Sequence, residues 1–77
     1  MSRPEKHSLT LEGHRTSVSL EPEFWKAFRM ICAERGTGIN AQASRIDIER
    51  PADTGLATAI RLFVLAYYQE KCAPPSP

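Results

Sequence analysis

A run of strict alternation at residues 15–20 constrains this chain more than any other feature of its sequence. Successive side chains of a β-strand point to opposite faces, so alternating polar and apolar residues predict a strand with one buried side. The buried-side set is Thr16, Val18 and Leu20, and the solvent-side set is Arg15, Ser17 and Ser19. Such a strand carries unpaired backbone groups along its edges, so it needs a partner.

Two amphipathic helices are predicted after this strand. Pro22 suits a first helical turn, where its missing N–H costs nothing, and the helical spacing of apolar residues continues to Arg35. Gly36 supplies the stop. Asn40 is a good N-cap for a second helix, which we expect to run to about Glu49.

The segment 55–71 predicts a third helix that is apolar on nearly all sides. Asp53 or Thr54 can cap its start. One stripe is formed by Leu56, Ile60, Phe63, Val64 and Tyr67, while Leu62, Leu65 and Tyr68 point away from it. Because a helix with two apolar faces needs two surfaces to pack against, this helix can also dock a partner or join dimers into tetramers.

The size of the chain, 77 residues, allows one domain. We expect a flexible N-terminus at residues 1–7, the domain at residues 8–71 and a disordered Pro-rich tail at residues 72–77. Cys32 and Cys72 do not make a disulfide framework, and no apolar run is long enough for a signal peptide or a membrane span. These features predict a cytoplasmic protein with no membrane partner. The net charge of +1 argues neither for nor against a polyanionic partner.

The alternating strand lacks a clear partner strand in its own chain. Residues 8–11 alternate weakly before Gly13 interrupts them, which fits either a short extra strand or a packed arm. Everything after Glu21 has a helical pattern. The simplest prediction is that the strand pairs, antiparallel, with the same strand of a second copy about a two-fold axis. A two-stranded ribbon of that width fits the major groove of B-DNA.

The succession RTSVSLEPEFWKAF, a Gly-containing turn and INAQASRID resembles the ribbon-helix-helix fold of the Arc and methionine repressors, which are β-ribbon readers of DNA. The motifs GHRTSVSLEPEFW and LATAIRLFVLAYY resemble a group of small bacterial ribbon-helix-helix proteins more closely, over roughly residues 8–70. The resemblance implies a mainly α fold with one short N-terminal β-strand and an intersubunit two-stranded antiparallel ribbon. The additional C-terminal helix has no counterpart in the minimal fold.

The resemblance also implies which residues meet DNA. Side chains on the outward face of the strand contact base edges, and backbone N–H groups at the start of the second helix hold a phosphate. The implied base contacts are Arg15, Ser17 and Ser19, the phosphate contacts are Asn40 and Ala41, and the dimer core is Val18, Leu20, Phe24, Phe28, Ile31 and Ile46. His14 and Arg15, with Lys6 and Arg3 upstream, are further candidates for phosphate contacts; the alternative is scattered surface charge, since Glu5 and Glu12 interrupt them. A structural alternative stays open for the implied contacts as well. Arg15 can be a solvated surface residue, Ser17 and Ser19 the polar half of any half-exposed strand, and Asn40 a plain helix cap.

No motif indicates catalysis or a cofactor. The sequence lacks a Gly-rich phosphate loop, HExxH and GxSxG. The candidate metal ligands His7, His14, Cys32 and Cys72 have no ligand spacing such as CxxC, so no metal site is expected. We therefore expect a protein that is not an enzyme.

Two functions are compatible with these patterns. The first is a homodimeric DNA-binding protein, a bacterial transcriptional regulator that inserts its β-ribbon into the major groove. The alternative is a dimeric or tetrameric protein-interaction module that does not bind DNA. The charge of the ribbon face separates them, because a positive face favours DNA and a neutral or acidic face favours the module.

Overall fold

The computed structural model describes residues 2–72, in which a two-stranded sheet is followed by three helices. The elements are β1 (Glu5–Leu11), β2 (His14–Leu20), α1 (Pro22–Arg35), α2 (Ile39–Glu49) and α3 (Leu56–Cys72). This confirms the predicted class, a mainly α ribbon-helix-helix arrangement with an additional C-terminal helix. Of the tail predicted at residues 72–77, only Cys72 lies within the described residues, and it is the last residue of α3.

The two strands form an antiparallel hairpin within one chain. Leu11 lies opposite His14, and Glu5 lies opposite Leu20. Only a Glu-Gly pair at positions 12 and 13 separates the strands, and both of its residues have positive φ, 51° and 79°. Positive φ at both central residues is what a type I′ turn requires, and the twist of that turn matches the twist of paired strands. β2 therefore finds its partner in the residues directly before it.

The hairpin corrects the expectation of one N-terminal strand, since the chain has two paired strands. A ribbon shared with a second copy stays a prediction. β1 begins at Glu5, inside the segment 1–7 that the sequence predicts to be flexible. Its alternation is hard to recognise because only Leu9 and Leu11 are buried apolar residues on its inner face. Of the two alternatives for residues 8–11, the structure shows the strand.

The hairpin turn contains one strained residue, Glu12, because a side chain in the left-handed region costs roughly 1–2 kcal/mol. Asn tolerates this conformation, and Asn-Gly is a favoured type I′ pair. We expect Glu12→Asn to raise the free energy of unfolding by about 1 kcal/mol, measured by urea denaturation. Gly13→Ala makes the opposite change at the neighbouring position and should lower it by a similar amount. Unchanged stability of both variants would contradict this turn.

A single core lies between the inner face of the hairpin and the three helices. α2 packs beside β1 and α3 beside β2, while α1 contacts both other helices. Phe28 is fully buried, and its ring lies 6.1 Å from that of Trp25 and 5.9 Å from that of Phe63, measured between centroids. The buried apolar side chains are Leu9, Leu11, Val18, Leu20, Phe28, Ile31, Cys32, Ala43, Ile46, Ile60 and Val64. All five elements thus contribute to the core, including the third helix.

The residues predicted to form a dimer core lie in the core of the single chain. Val18, Leu20, Phe28, Ile31 and Ile46 are buried, and Phe24 packs half-buried against them. These residues pack against the hairpin and the helices of their own chain, and their part in a dimer core stays a prediction. Burial of these side chains therefore does not require association.

The helix boundaries follow local signals with one exception. Gly36 ends α1 in the left-handed conformation, as predicted, and its N–H donates to the carbonyl oxygen of Ala33 at 3.1 Å. α2 begins at Ile39 with Gly38 in the cap position, so the prediction of Asn40 as N-cap is wrong. None of the helices within residues 2–72 combines the length and apolarity that crossing a membrane demands.

The C-terminal half of α3 is attached to the end of α1 by polar groups. The hydroxyl of Tyr67 donates a hydrogen bond to the carboxylate of Glu34, and Nζ of Lys71 donates to the same carboxylate at 2.9 Å. These donors lower the pKa of Glu34 below its usual value, since they favour the ionised form. The contact joins the C-terminal half of α3 to the last turns of α1.

Candidate nucleic-acid interface

The outer face of the hairpin, which points away from the helices, is formed entirely by polar side chains. Residues opposite one another in an antiparallel pair point to the same side, so the register gives the composition of this face directly. The outer face consists of Lys6, Ser8 and Thr10 from β1 and of Arg15, Ser17 and Ser19 from β2, all of them exposed. The structure thus brings the three predicted base-contacting residues together on one surface and adds three others to them.

The outer face carries two cations and no carboxylate. Lys6 and Arg15 form no ion pair with any carboxylate of residues 2–72. The nearest acidic positions along the chain are Glu12 in the turn and Glu5, whose place in the register assigns it to the inner face opposite Leu20. The face is therefore positive although the net charge of the chain is only +1.

The two cations stand at opposite ends of the outer face. Arg15 pairs with Thr10 next to the turn, and Lys6 pairs with Ser19 at the open end of the hairpin. The two pairs are four residue steps apart along each strand, which corresponds to about 13 Å at the usual rise per residue. Serine and threonine hydroxyls, which can donate or accept hydrogen bonds, fill the space between them.

The start of α2 lies against the edge of β1. The backbone N–H of Thr10 donates to Oδ1 of Asn40 at 3.0 Å, so this side chain holds the helix to the hairpin instead of capping the helix. Gly38 has no side-chain cap, and the first turn contains no acidic residue. The first backbone hydrogen bond of α2 is donated by the N–H of Gln42 to the carbonyl of Gly38. The N–H groups of Ile39, Asn40 and Ala41 therefore have no acceptor within the helix.

The predicted phosphate contacts do not share one surface. Asn40 and Ala41 are exposed at the helix start beside β1, at the edge of the outer face. His14 is exposed next to the turn, but it pairs with Leu11 and so belongs to the opposite side of the hairpin from Arg15. The site therefore combines the outer face with the start of α2, and His14 stands apart from both.

The edge of β2 is held by a residue of α3. Nε and Nη2 of Arg61 donate to the two carboxylate oxygens of Glu21 at 2.9 and 3.2 Å, and Nη2 also donates to the carbonyl of Ser19 at 3.4 Å. These hydrogen bonds lower the pKa of Glu21 below its usual value. Sequence reasoning missed this contact, since it joins residues 40 positions apart.

Sequence reasoning missed that Ser8 and Thr10 share this face with Lys6. The signal that reveals it is the spacing of two in KHSLTL, which places these three residues on one side and His7, Leu9 and Leu11 on the other. A Gly-containing two-residue turn between two alternating segments completes the hairpin signature.

The candidate metal ligands are not brought together. Within residues 2–72 no three histidine, cysteine or acidic side chains form a group that could hold a metal ion. The ring of His7 stacks on Trp25 at 4.1 Å between centroids, and its Nε2 is buried. Cys32 is buried in the core, and this burial raises the pKa of its thiol.

A family model described as "Ribbon-helix-helix domain" matches residues 4–68. No curated protein and no solved structure matches the chain. The matched segment includes the whole hairpin, α1, α2 and most of α3. Ribbon-helix-helix domains are generally DNA-binding transcriptional regulators without enzymatic activity, and they typically bind DNA as dimers. A match over most of the chain, together with the observed order of elements, shows that this protein belongs to the ribbon-helix-helix family.

Proposed function

We propose that this protein is a bacterial transcriptional regulator of the cytoplasm that binds double-stranded DNA through the outer face of its hairpin. The observation that carries the proposal is the composition of that face, which is wholly polar, contains two cations and lacks carboxylates. DNA offers phosphates along its backbone and hydrogen-bonding groups on its base edges, so such a face complements both.

The geometry of the hairpin suits the major groove. A two-stranded ribbon fits a groove about 12 Å wide, with one face turned towards the bases. In this orientation Arg15 reaches a guanine edge, where an arginine can donate two parallel hydrogen bonds. The backbone N–H groups of Asn40 and Ala41, in the first turn of α2, lie beside the same face. They are suited to bind a flanking phosphate, because a helix N-terminus attracts anions.

Arg15→Ala tests the proposed base contact. We expect it to weaken binding to the preferred sequence by about 1–3 kcal/mol, because the bidentate contact with guanine is lost while the exposed position leaves the fold unaffected. Fluorescence anisotropy with duplexes selected from a random pool measures this change. Arg29→Ala, which removes the same charge from an exposed position of α1, is the matched control and should bind like wild type.

The dependence of binding on salt supplies the second part of this test. Each phosphate that the protein neutralises should contribute about −0.9 to the slope of log affinity against log salt concentration. A slope near zero, or equal binding by the Arg15→Ala and wild-type proteins, would show that the hairpin does not dock in the groove.

One observation favours the alternative function, a protein-interaction module. Leu62, Leu65 and Tyr68 on α3 are 55%, 49% and 39% exposed, and they form an apolar stripe. Leu62 also lines an apolar groove of about 330 Å³ between the end of α2 and α3. The stripe offers a second copy or another protein a surface that is separate from the hairpin. Association there leaves each outer face free, so a dimeric or tetrameric regulator is compatible with it.

A further inference from the structure

We propose that α3 binds the α3 of a second copy of this chain, with the two helices antiparallel and their exposed sides in contact. Each copy contributes four residues, which we call the α3 seam: Thr58, Leu62, Leu65 and Gln69. The seam lies on a helix that packs against the inner side of the hairpin, away from the outer face. The inference therefore goes beyond the proposed function and does not depend on DNA binding.

The α3 seam lies on the side of the helix that is turned away from the core. Ile60 and Val64 are buried, whereas all four residues of the seam are exposed. No charged residue occurs at positions 62–69. The solvent-facing side of a surface helix normally carries charged and polar residues, so this side is better suited to contact with another protein surface.

The residues of the α3 seam have the spacing of a helix that packs against another helix. From Thr58 to Gln69 the steps are four, three and four residues. This is the spacing of the two apolar positions in a heptad, and it keeps one line of side chains directed at the neighbouring helix. Ile60 and Val64 fall between these positions, so one side of α3 packs in its own core while the other side packs on a second helix.

The order of residues in the seam indicates that the neighbouring helix is a second copy of α3. In an antiparallel pair whose two-fold axis passes midway between Leu62 and Leu65, each of these leucines meets the other leucine of the second copy. Thr58 then meets Gln69, and the hydroxyl and the amide can exchange hydrogen bonds. A two-fold contact must be self-complementary. An apolar centre with matching polar ends fulfils this condition.

The charges beside the seam fit the same register. Arg61 lies at the level of Ala66 of the second copy, and Glu70 lies at the level of Ala57, so like charges do not meet. Arg61 is also paired within its own chain, through two hydrogen bonds to the carboxylate of Glu21. The opposite directions of the two helix dipoles favour the antiparallel arrangement.

Leu65→Glu tests the inference in the full-length protein, by sedimentation velocity at increasing protein concentration. A single seam is small beside a standard interface of about 800 Å² per partner, so we expect association to rise with concentration. The largest species of this variant should have half the mass of the largest wild-type species, because each copy would bury an unpaired carboxylate against Leu62. This halving is expected whether or not the copies also meet through another surface.

Ile48→Glu is the matched control, because it makes the same change at the most exposed large apolar residue, which lies on α2 outside the seam. It should assemble like wild type. Circular dichroism of both variants should match that of wild type, since both positions are exposed. A wild-type protein with the same mass as the Leu65→Glu protein at every concentration overturns the inference and leaves the exposed side of α3 to a different protein.

Oxidative crosslinking tests the antiparallel register. Leu62→Cys and Leu65→Cys are made separately in a Cys72→Ser background, since Cys72 is an exposed thiol and Cys32 is buried. After the two proteins are mixed and oxidised, peptide mass spectrometry should find disulfides mainly between one chain of each kind. Disulfides that form equally well within each variant alone overturn the antiparallel pair. DNA binding by the wild-type protein is measured separately, so its absence contradicts the proposed function and not this inference.

Discussion

Val18→Asp is expected to unfold the protein in the absence of any partner. Val18 is only 4% exposed on the inner face of β2, in a core to which every element contributes. Burying an unpaired carboxylate there costs several kcal/mol. The whole domain is stabilised by about 4–12 kcal/mol, at 0.05–0.15 kcal/mol per residue. Circular dichroism and urea denaturation at low protein concentration measure the loss of structure.

Ser17→Asp is the control for this prediction, because it places the same carboxylate one residue earlier on the exposed outer face. We expect this variant to fold like wild type and to lose DNA binding, since the new charge faces the phosphates. The two variants thus separate stability from function at neighbouring positions. A folded Val18→Asp protein, or an unfolded Ser17→Asp protein, would mean that the faces of β2 are assigned the wrong way round.

The unfolding caused by Val18→Asp follows from the core of a single chain, because Leu9 and Leu11 of the same chain pack in the cluster that holds Val18.

Much of this fold follows from local sequence signals. The spacing of apolar residues places α1 correctly, and Gly36 ends it, because a left-handed residue without a side chain is the usual C-terminal stop. The two apolar faces predicted for α3 also describe it well. Ile60 and Val64 are buried, while Leu62 and Leu65 on the other side remain exposed.

The local signals of the hairpin are weaker than those of α1 and α3, for two physical reasons. Its turn is Glu-Gly, and Glu is unusual at a position of positive φ, where Asn, Asp or Gly is expected. The first half of β1 is polar on both faces, so the alternation of Leu9 and Leu11 appears as a short fragment. The strand signal of β2 is clear, but the weak alternation before it leads the sequence to predict a partner strand in a second copy.

The candidate site depends on contacts that local patterns do not contain. Asn40 has the sequence properties of a helix cap, yet it binds the backbone of Thr10, 30 positions earlier. Arg61 lies in an apolar helical segment, but its guanidinium crosses to Glu21 and the end of β2. Both contacts join distant parts of the chain, so only the tertiary structure reveals them.

A cross-strand disulfide tests the pairing of β1 with β2 with an all-or-none result. Ser8 lies directly opposite Ser17. The N–H of Thr10 points away from β2 towards Asn40, so Thr10 and Arg15 form a pair without direct backbone hydrogen bonds. The two kinds of pair alternate along an antiparallel ladder, so Ser8 and Ser17, two residues further along, form a pair of the same kind. Their Cα atoms are then about 4.5 Å apart, which lies within the range that a disulfide bridges.

We therefore expect Ser8→Cys with Ser17→Cys to oxidise within one chain. The change is made in a Cys72→Ser background, since Cys72 is an exposed thiol and Cys32 is buried. The oxidised protein should migrate as a monomer in non-reducing electrophoresis, and mass spectrometry should identify a crosslinked peptide spanning the turn. The single Ser17→Cys variant in the same background is the matched control and should yield no crosslinked peptide spanning the turn. If the double variant formed no such peptide, Ser8 and Ser17 would not be paired as the register places them.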